Sequence, residues 1–286
     1  MLQESLSTYE KLLRPLPAWN PKAWYYGLLS MSLKTVGKLS NGIRIGFQYG
    51  FDSGVMLEYV YANQPSGITP LGTLIDWFYL NSQGWRGIRQ RSKLLKSTLR
   101  EVLQSYQQQN IPCSLLDVAC GGGRYDLEVL QEFQDKKFAA TLRDYKLENV
   151  TKACQLAMDL GVTAQIQQAD AFNDESLERV QPRPNVIVVS GLHEILPDDH
   201  LIEHHFKQLY QIMEAPGTLI FTIQPNHPQL ELIARTLPTH TGRLWVMRLR
   251  SWELTRQWAA NAGFDNFQVC MEPNGIFGVV TARKNP

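Results

Sequence analysis

The residues best suited to chemistry cluster in Ser114–Tyr125, which reads SLLDVACGGGRY. Leu115 to Ala119 is apolar apart from Asp117 and runs straight into Gly121-Gly122-Gly123. Such a turn exposes backbone groups. A side chain at Gly121 or Gly123 would hold a ligand away from them, and glycine tolerates the tight bend. The spacing D-x-A-x-G-x-G, from Asp117 through Ala119, is shorter than the G-x-G-x-x-G used for dinucleotides, and no hydride-transfer constellation accompanies it. Two further acids end predicted strands: Asp144, and Asp170 followed by Ala171 and Phe172. The end of the fourth predicted strand, Ser190-Gly191-Leu192-His193-Glu194, brings an imidazole and a carboxylate to the place where open α/β sheets bind ligands. His193, with an unperturbed pKa of about 6.5, could take a proton from a nucleophile, and Glu194 could orient it or hold a cationic amine. The alternative is that both merely cap the following loop and helix.

Other candidates stand further out. Gln224, with Asn226 and His227, follows the fifth predicted strand and could wall a pocket. Arg86 and Arg89 start a helix beside a glycine turn and are candidates for a substrate anion, whereas Lys93, Lys96 and Arg100 read as its solvated flank. His200 and His204 have helical i, i+4 spacing, and His205 adjoins them. But HLIEH is not H-E-x-x-H and no third ligand is evident, so no metal is expected and these histidines read as a solvated face.

These residues need a scaffold. From Ile111 onward the pattern alternates. Strands are predicted at Leu115–Ala119, Phe138–Leu142, Thr163–Gln168, Asn185–Ser190 and Gly217–Gln224, then a closing pair at Phe267–Met271 and Ile276–Ala282. Helices are predicted at Lys146–Leu160, His200–Met213 and Trp252–Ala262, the first and last stopped by Gly161 and Gly263. Strand–helix alternation of this kind builds a parallel sheet with helices on both faces. Residues 1–110 lack that alternation. They read as a mainly helical extension, with Asn41–Gly54 a glycine-rich loop or irregular strand pair. Ala23–Leu39 is apolar and aromatic, flanked by Lys22, Lys34 and Lys38. It reads as a helix docked on the core, with an interfacial membrane helix as the alternative.

Composition narrows the class. A chain of 286 residues that is 44% hydrophobic with a formal charge of +1 describes a soluble globular protein, not a strongly basic nucleic-acid binder. Cys113, Cys120, Cys154 and Cys270 form no C-x-x-C pair, so neither zinc nor a disulfide framework is suggested and a reducing cytoplasm is expected. The N-terminus has acids where a signal peptide needs an apolar run, and no stretch reaches the ~18 residues of a membrane span.

The Asp117–Gly123 motif resembles motif I of the class I S-adenosylmethionine-dependent methyltransferases, with Ala119 where that family more often has Gly. The resemblance covers 111–286. It implies an α/β fold with a seven-stranded, mostly parallel sheet. It also implies S-adenosylmethionine as cofactor: Asp144 at the ribose hydroxyls, Asp170 at the adenine amino group, Phe172 over the ring, and Ala171 and Ser190 in the same pocket. A carboxylate suits each of these donors. The segments FDSGVMLEYVYANQPSG, LIDWFYLNSQGWRGIR and QPNHPQ are reminiscent of a bacterial methyltransferase group, some of whose members carry an α/β-hydrolase-like domain. The expectation is methyl transfer to a small organic or lipid-like O- or N-nucleophile, with residues 1–110 covering the substrate. Peripheral membrane contact is compatible with it, and the oligomeric state is left open. The alternative is an S-adenosylmethionine-binding interaction module without catalysis.

Overall fold

The structure, a computed structural model, describes residues 2–133 and 138–286. Helices dominate as far as residue 108. α1 (Leu2–Leu13) precedes α2 (Pro21–Lys34), which has proline in its first turn and Asn20 as cap. A 3-10 turn, Val36–Leu39, leads to α3 (Asn41–Tyr49), α4 (Gly54–Ala62), α5 (Pro70–Leu80) and the long α6 (Gln83–Gln108). Ser40, Ser53 and Thr69 cap α3, α4 and α5, each hydroxyl accepting from the N–H three residues on.

α3 replaces the loop or strand pair expected at 41–54. The glycines that suggest a turn are packing residues instead. A Cβ on Gly42 would stand 2.8 Å from the Asp76 carboxylate, and one on Gly46 would stand 2.4 Å from the Phe51 ring.

The alternating half follows its predicted order. It comprises β1 (Ser114–Asp117), α7 (Arg124–Gln131), β2 (Ala139–Asp144), α8 (Leu147–Leu160), β3 (Gln165–Gln168), α9 (Asp174–Glu178), β4 (Val186–Val189), the single turn α10 (Leu192–Ile195), α11 (Asp199–Ile212), β5 (Gly217–Ile223), α12 (Leu230–Thr236), α13 (Trp252–Ala262), β6 (Asp265–Met271) and β7 (Gly278–Lys284). The strands lie in the order β3-β2-β1-β4-β5-β7-β6, with β7 antiparallel to both neighbours and the rest parallel. This is the seven-stranded, mostly parallel sheet that the resemblance implies.

Alternate residues divide the core. Leu116, Ile187, Val189, Leu219 and Phe221 meet α11 and α13 on one face. Leu115, Val186, Val188 and Ile220 meet α6 and α7 on the other. Both faces of the central strands are therefore dry, which is why NVIVVS reads as a continuous apolar run.

The chain divides into two compact units. The first holds residues as far as Gln90 together with Asn226–Leu249; the second holds Arg91–Pro225 and Arg250–Pro286. The sequence boundary at 110 thus differs from the division observed inside α6, and 226–249 joins the N-terminal helices. Specific bonds tie it there. Lys22 Nζ meets Glu231 at 2.8 Å, the Arg235 guanidinium donates to the carbonyls of Lys11, Leu12 and Arg14, and Phe51 N–H donates to Pro238 O.

Candidate functional site

The sheet reverses its winding between β1 and β4, and ligands of such sheets sit outside the strand ends at that point. The glycine turn lies there. Gly121 and Gly123 both have positive φ, 58° and 68°. A Cβ on Gly121 would meet nothing within 4 Å, so that position faces open space; one on Gly123 would crowd Leu127, Ala153 and Leu142 at 3.2–3.3 Å. Gly121 therefore leaves room above the turn and Gly123 permits packing beneath it. Ala119, Gly121 and Gly122 are half-buried at the strand end.

Asp144 braces the turn from β2. Its Oδ2 accepts from Gly121 N–H at 3.0 Å, and its Oδ1 accepts from Lys146 N–H at 2.8 Å and Asn149 Nδ2 at 2.9 Å. Asp117 differs from its expected place in the cofactor pocket. It is fully buried, accepts from Ala119 N–H at 2.8 Å and from the Tyr125 hydroxyl, and shapes the turn from inside. Burial pushes its pKa up to about 7. Asp126, equally buried beside it on α7, is raised well above the carboxylate range by burial and by the Asp117 charge. Tyr125 and Asp126 lie outside the sequence-predicted site, although the helical period shows an acid on the buried stripe of α7.

At the end of β3, Asp170 is exposed and its Oδ1 accepts from Phe172 N–H at 2.9 Å. Ala171 is buried and Phe172 half-buried, its ring 4.5 Å from that of His205. Arg143, buried on β2, donates to Ser176 Oγ, and Asp170 acts on it electrostatically.

The loop after β4 brings the largest correction. Ser190 is half-buried, and Gly191, at φ 74°, donates its N–H to Thr222 Oγ1 at 2.8 Å. His193 then turns inward. Its Nε2 lies 2.8 Å from His205 Nδ1, and its ring packs on Phe206. Burial, then the His205 and Arg250 charges, hold its pKa well below 6.5, and burial takes His205 to about 3. Both rings are neutral core groups, so the geometry does not support His193 as the base. Nor is His205 solvated: it lies three residues after Ile202 on the buried stripe of α11, a placement legible from the helical period. His200 and His204 are exposed.

Glu194 is buried, and among the described residues no well-formed hydrogen bond reaches either carboxylate oxygen. Burial raises its pKa; the Arg91 charge is first among the influences drawing it back, followed by the Thr222 hydroxyl. Arg91 is itself buried. Its guanidinium stands 4.9 Å over the Phe277 ring, and its two terminal nitrogens lie 3.6 and 3.7 Å from where a Gly191 Cβ would be. Arg91, rather than Arg86 or Arg89, is the cation of α6 at this loop. The signal was its position: Ile88, Arg91 and Leu95 share the apolar stripe of α6. Arg86 is exposed, and Arg89 donates to Leu80 O at 2.9 Å within the first unit, closing the end of α5. Gln224 is buried just beyond β5. His227 and Asn226 belong to the first unit, where His227 is buried against Gly84 and burial lowers its pKa to about 4.

Comparisons place this geometry among known proteins. An uncharacterized protein, YnbC, of Escherichia coli (strain K12) is 38% identical over 271 residues, covering 94% of this chain and 46% of its own length. The chain thus spans about half of that relative. Among solved structures, a possible exported protein from Bordetella parapertussis aligns over 99% of this chain and 97% of its own, at TM-score 0.64 and 18% identity. Magnesium protoporphyrin IX methyltransferase from Synechocystis PCC 6803 aligns over 84% of this chain and 99% of its own, at TM-score 0.55 and 12% identity. These likenesses show the fold, that of the class I methyltransferases. A family model described as "Putative methyltransferase" matches residues 1–284, and the chain belongs to that family.

Proposed function

We propose that this protein is an S-adenosylmethionine-dependent methyltransferase acting on a small organic or lipid-like acceptor. The observation that carries the reading is the open glycine turn braced by Asp144 at the switch point of the sheet. The residues there fit the cofactor. Gly121 leaves space for a ligand above the backbone, Asp144 suits the two ribose hydroxyls, and Asp170 with Phe172 suits an amino-substituted ring. When bound, the cofactor supplies an electrophilic methyl group on a sulfonium. The chain's own task is to position the acceptor and exclude water.

On the acceptor side, the turn α10 after β4 carries Glu194, and α6 carries Arg91 beside it. Glu194 is a buried carboxylate whose pKa burial raises, the properties of a group that can take up a proton. Arg91 is placed to hold an anionic or strongly polar oxygen of the acceptor. His193 supports this loop from within. Calorimetric titration with S-adenosylmethionine, followed by mass spectrometry of cell extract incubated with the protein and labelled cofactor, tests the reading. Saturable binding and a labelled small molecule are expected. Absence of binding would overturn it, and binding without transfer would favour a non-catalytic module.

A further inference from the structure

The first unit has an exposed apolar face. Sequence alone suggests that Ala23–Leu39 docks on the core, yet α2 has no buried residue. Trp24, Leu28 and Met31 share one outward stripe at i, i+4 and i+7 and are 70%, 69% and 63% exposed. Tyr25 flanks the stripe, and Trp19 precedes it. Tyr26, Leu29 and Leu33 line the inner side, half-buried. α2 therefore turns large apolar side chains to its open side as well as to its covered one, whereas a surface helix normally turns a polar face to water. α5 repeats the pattern. Asp76 and Leu80 are buried on its inner side, while Leu71, Leu74, Trp77 and Phe78 are exposed. Both helices pack against the 3-10 turn Val36–Leu39, and Val36 on that turn is exposed.

The charge along this stretch of chain has one sign, although Lys22 is met by Glu231 of α12. No acid occurs between Glu10 and Asp52, while Lys11, Arg14, Lys22, Lys34, Lys38 and Arg44 fall in that stretch and are all exposed. The one acid of α5, Asp76, is buried and accepts from Ser40 Oγ, Gly42 N–H, the Tyr59 hydroxyl and Ser66 N–H. The first unit carries eleven lysines and arginines against six acids, and the second carries 17 against 21.

We propose that this protein docks through α2, the 3-10 turn and α5 on the surface of an anionic phospholipid bilayer. Tryptophan and tyrosine favour the level of the headgroups, apolar side chains enter the acyl boundary, and lysines beside them meet lipid phosphates. Among the described residues no helix is long and apolar enough to cross a membrane, so the contact is adsorption and not spanning. Charge argues against a second copy as the occupant. A two-fold pairing would set this face, with the lysines and arginines of residues 11–51, against a copy carrying the same excess of positive charge.

Co-sedimentation of the full chain with vesicles tests this. Vesicles of phosphatidylcholine and phosphatidylglycerol should pellet the protein, with a blue shift of tryptophan emission; phosphatidylcholine alone should pellet far less. Raised salt should weaken the binding. Lys34→Glu with Lys38→Glu should lower the partition coefficient about tenfold or more, and Leu28→Glu with Met31→Glu should abolish the blue shift. All four side chains are exposed, so unchanged melting temperatures are expected and exclude misfolding as the cause. Failure to pellet, or equal pelleting on both vesicle types, overturns the proposal. So does a dimer in solution that Leu28→Glu with Met31→Glu dissociates, since the face would then belong to a second copy.

Discussion

At the scale of single residues, Asp144 and Glu194 carry the functional reading, and His193 carries stability. Asp144→Ala removes the proposed ribose acceptor and the brace on Gly121 together. It is expected to weaken S-adenosylmethionine binding by about 1.5–3 kcal/mol, the scale of hydrogen bonds to charged groups. Titration calorimetry on folded protein measures it, and unchanged affinity would move the ribose elsewhere. His193→Ala leaves His205 Nδ1 without its partner in a dry core. The expected loss is about 1–3 kcal/mol of stability with turnover per folded molecule preserved. Glu194→Gln should do the reverse. It removes the titratable proton acceptor and keeps the shape, so turnover falls and the pH–rate profile loses its acidic limb while the fold is retained. Melting temperature and turnover, read on the same preparations, separate the two residues. A loss of turnover in His193→Ala alone would return the base to the histidine.

At the scale of elements, the β1–α7 junction is where charge and backbone geometry meet. Asp117 titrates at about 7 in the folded chain against an ordinary 3.8, and Asp126 is raised as well. The folded state therefore holds protons that the unfolded chain releases above about pH 4. Their contribution to stability is complete below the unfolded value and is lost as pH rises towards and through 7. Asp126→Asn keeps the shape and removes one titration. It should melt higher than the parent at pH 8 and show no comparable gain at pH 4, by about 2–4 °C for each kcal/mol recovered. A gain that is the same at both pH values would mean that Asp126 is ionised in the fold. Lys96 and Arg100, read from sequence as a solvated flank, pair with Glu128 of α7 and Glu132 just beyond it, each at 2.6 Å. Half-exposed pairs of this kind orient one helix on the next more than they stabilise it.

At the scale of the molecule, 226–249 governs what can be removed. Ile233, Ala234, Leu237 and Met247 are buried in a segment that belongs to the first unit. A fragment of 91–286 keeps that segment but loses the helices it packs on, so it should aggregate or bind hydrophobic dyes. Replacing 226–249 in that fragment by a short polar linker should restore a soluble monomer. If the unmodified fragment is already soluble and monomeric, the segment folds without α1 and α2, and its assignment to the first unit fails.

Much of the second unit was legible in the sequence because its signals are local. Apolar runs marked the central strands, and Gly161 and Gly263 marked helix ends at positive φ, 66° and 115°. The order of elements left few topologies open. The acids Asp144 and Asp170 were legible for the same reason, since a strand end is a position in sequence as well as in space. What the tertiary structure alone decided depends on which face of an element meets which neighbour. Asp117 and Asp144 both end strands, yet one points under the turn and the other braces it. His193 adjoins Glu194, but a single helical turn, α10, and the inner stripe of α11 bury its imidazole against His205. Gly42 and Gly46 suggest a turn until Asp76, 34 residues later in the chain, accepts from Gly42 N–H and fills the space a Cβ would need. Nor does the local pattern show that 226–249 returns to the N-terminal helices, because the bonds from Lys22 and Arg235 that hold it span more than 200 residues of chain. Period and propensity act over a few residues; side-chain partners that distant meet only after the chain has folded.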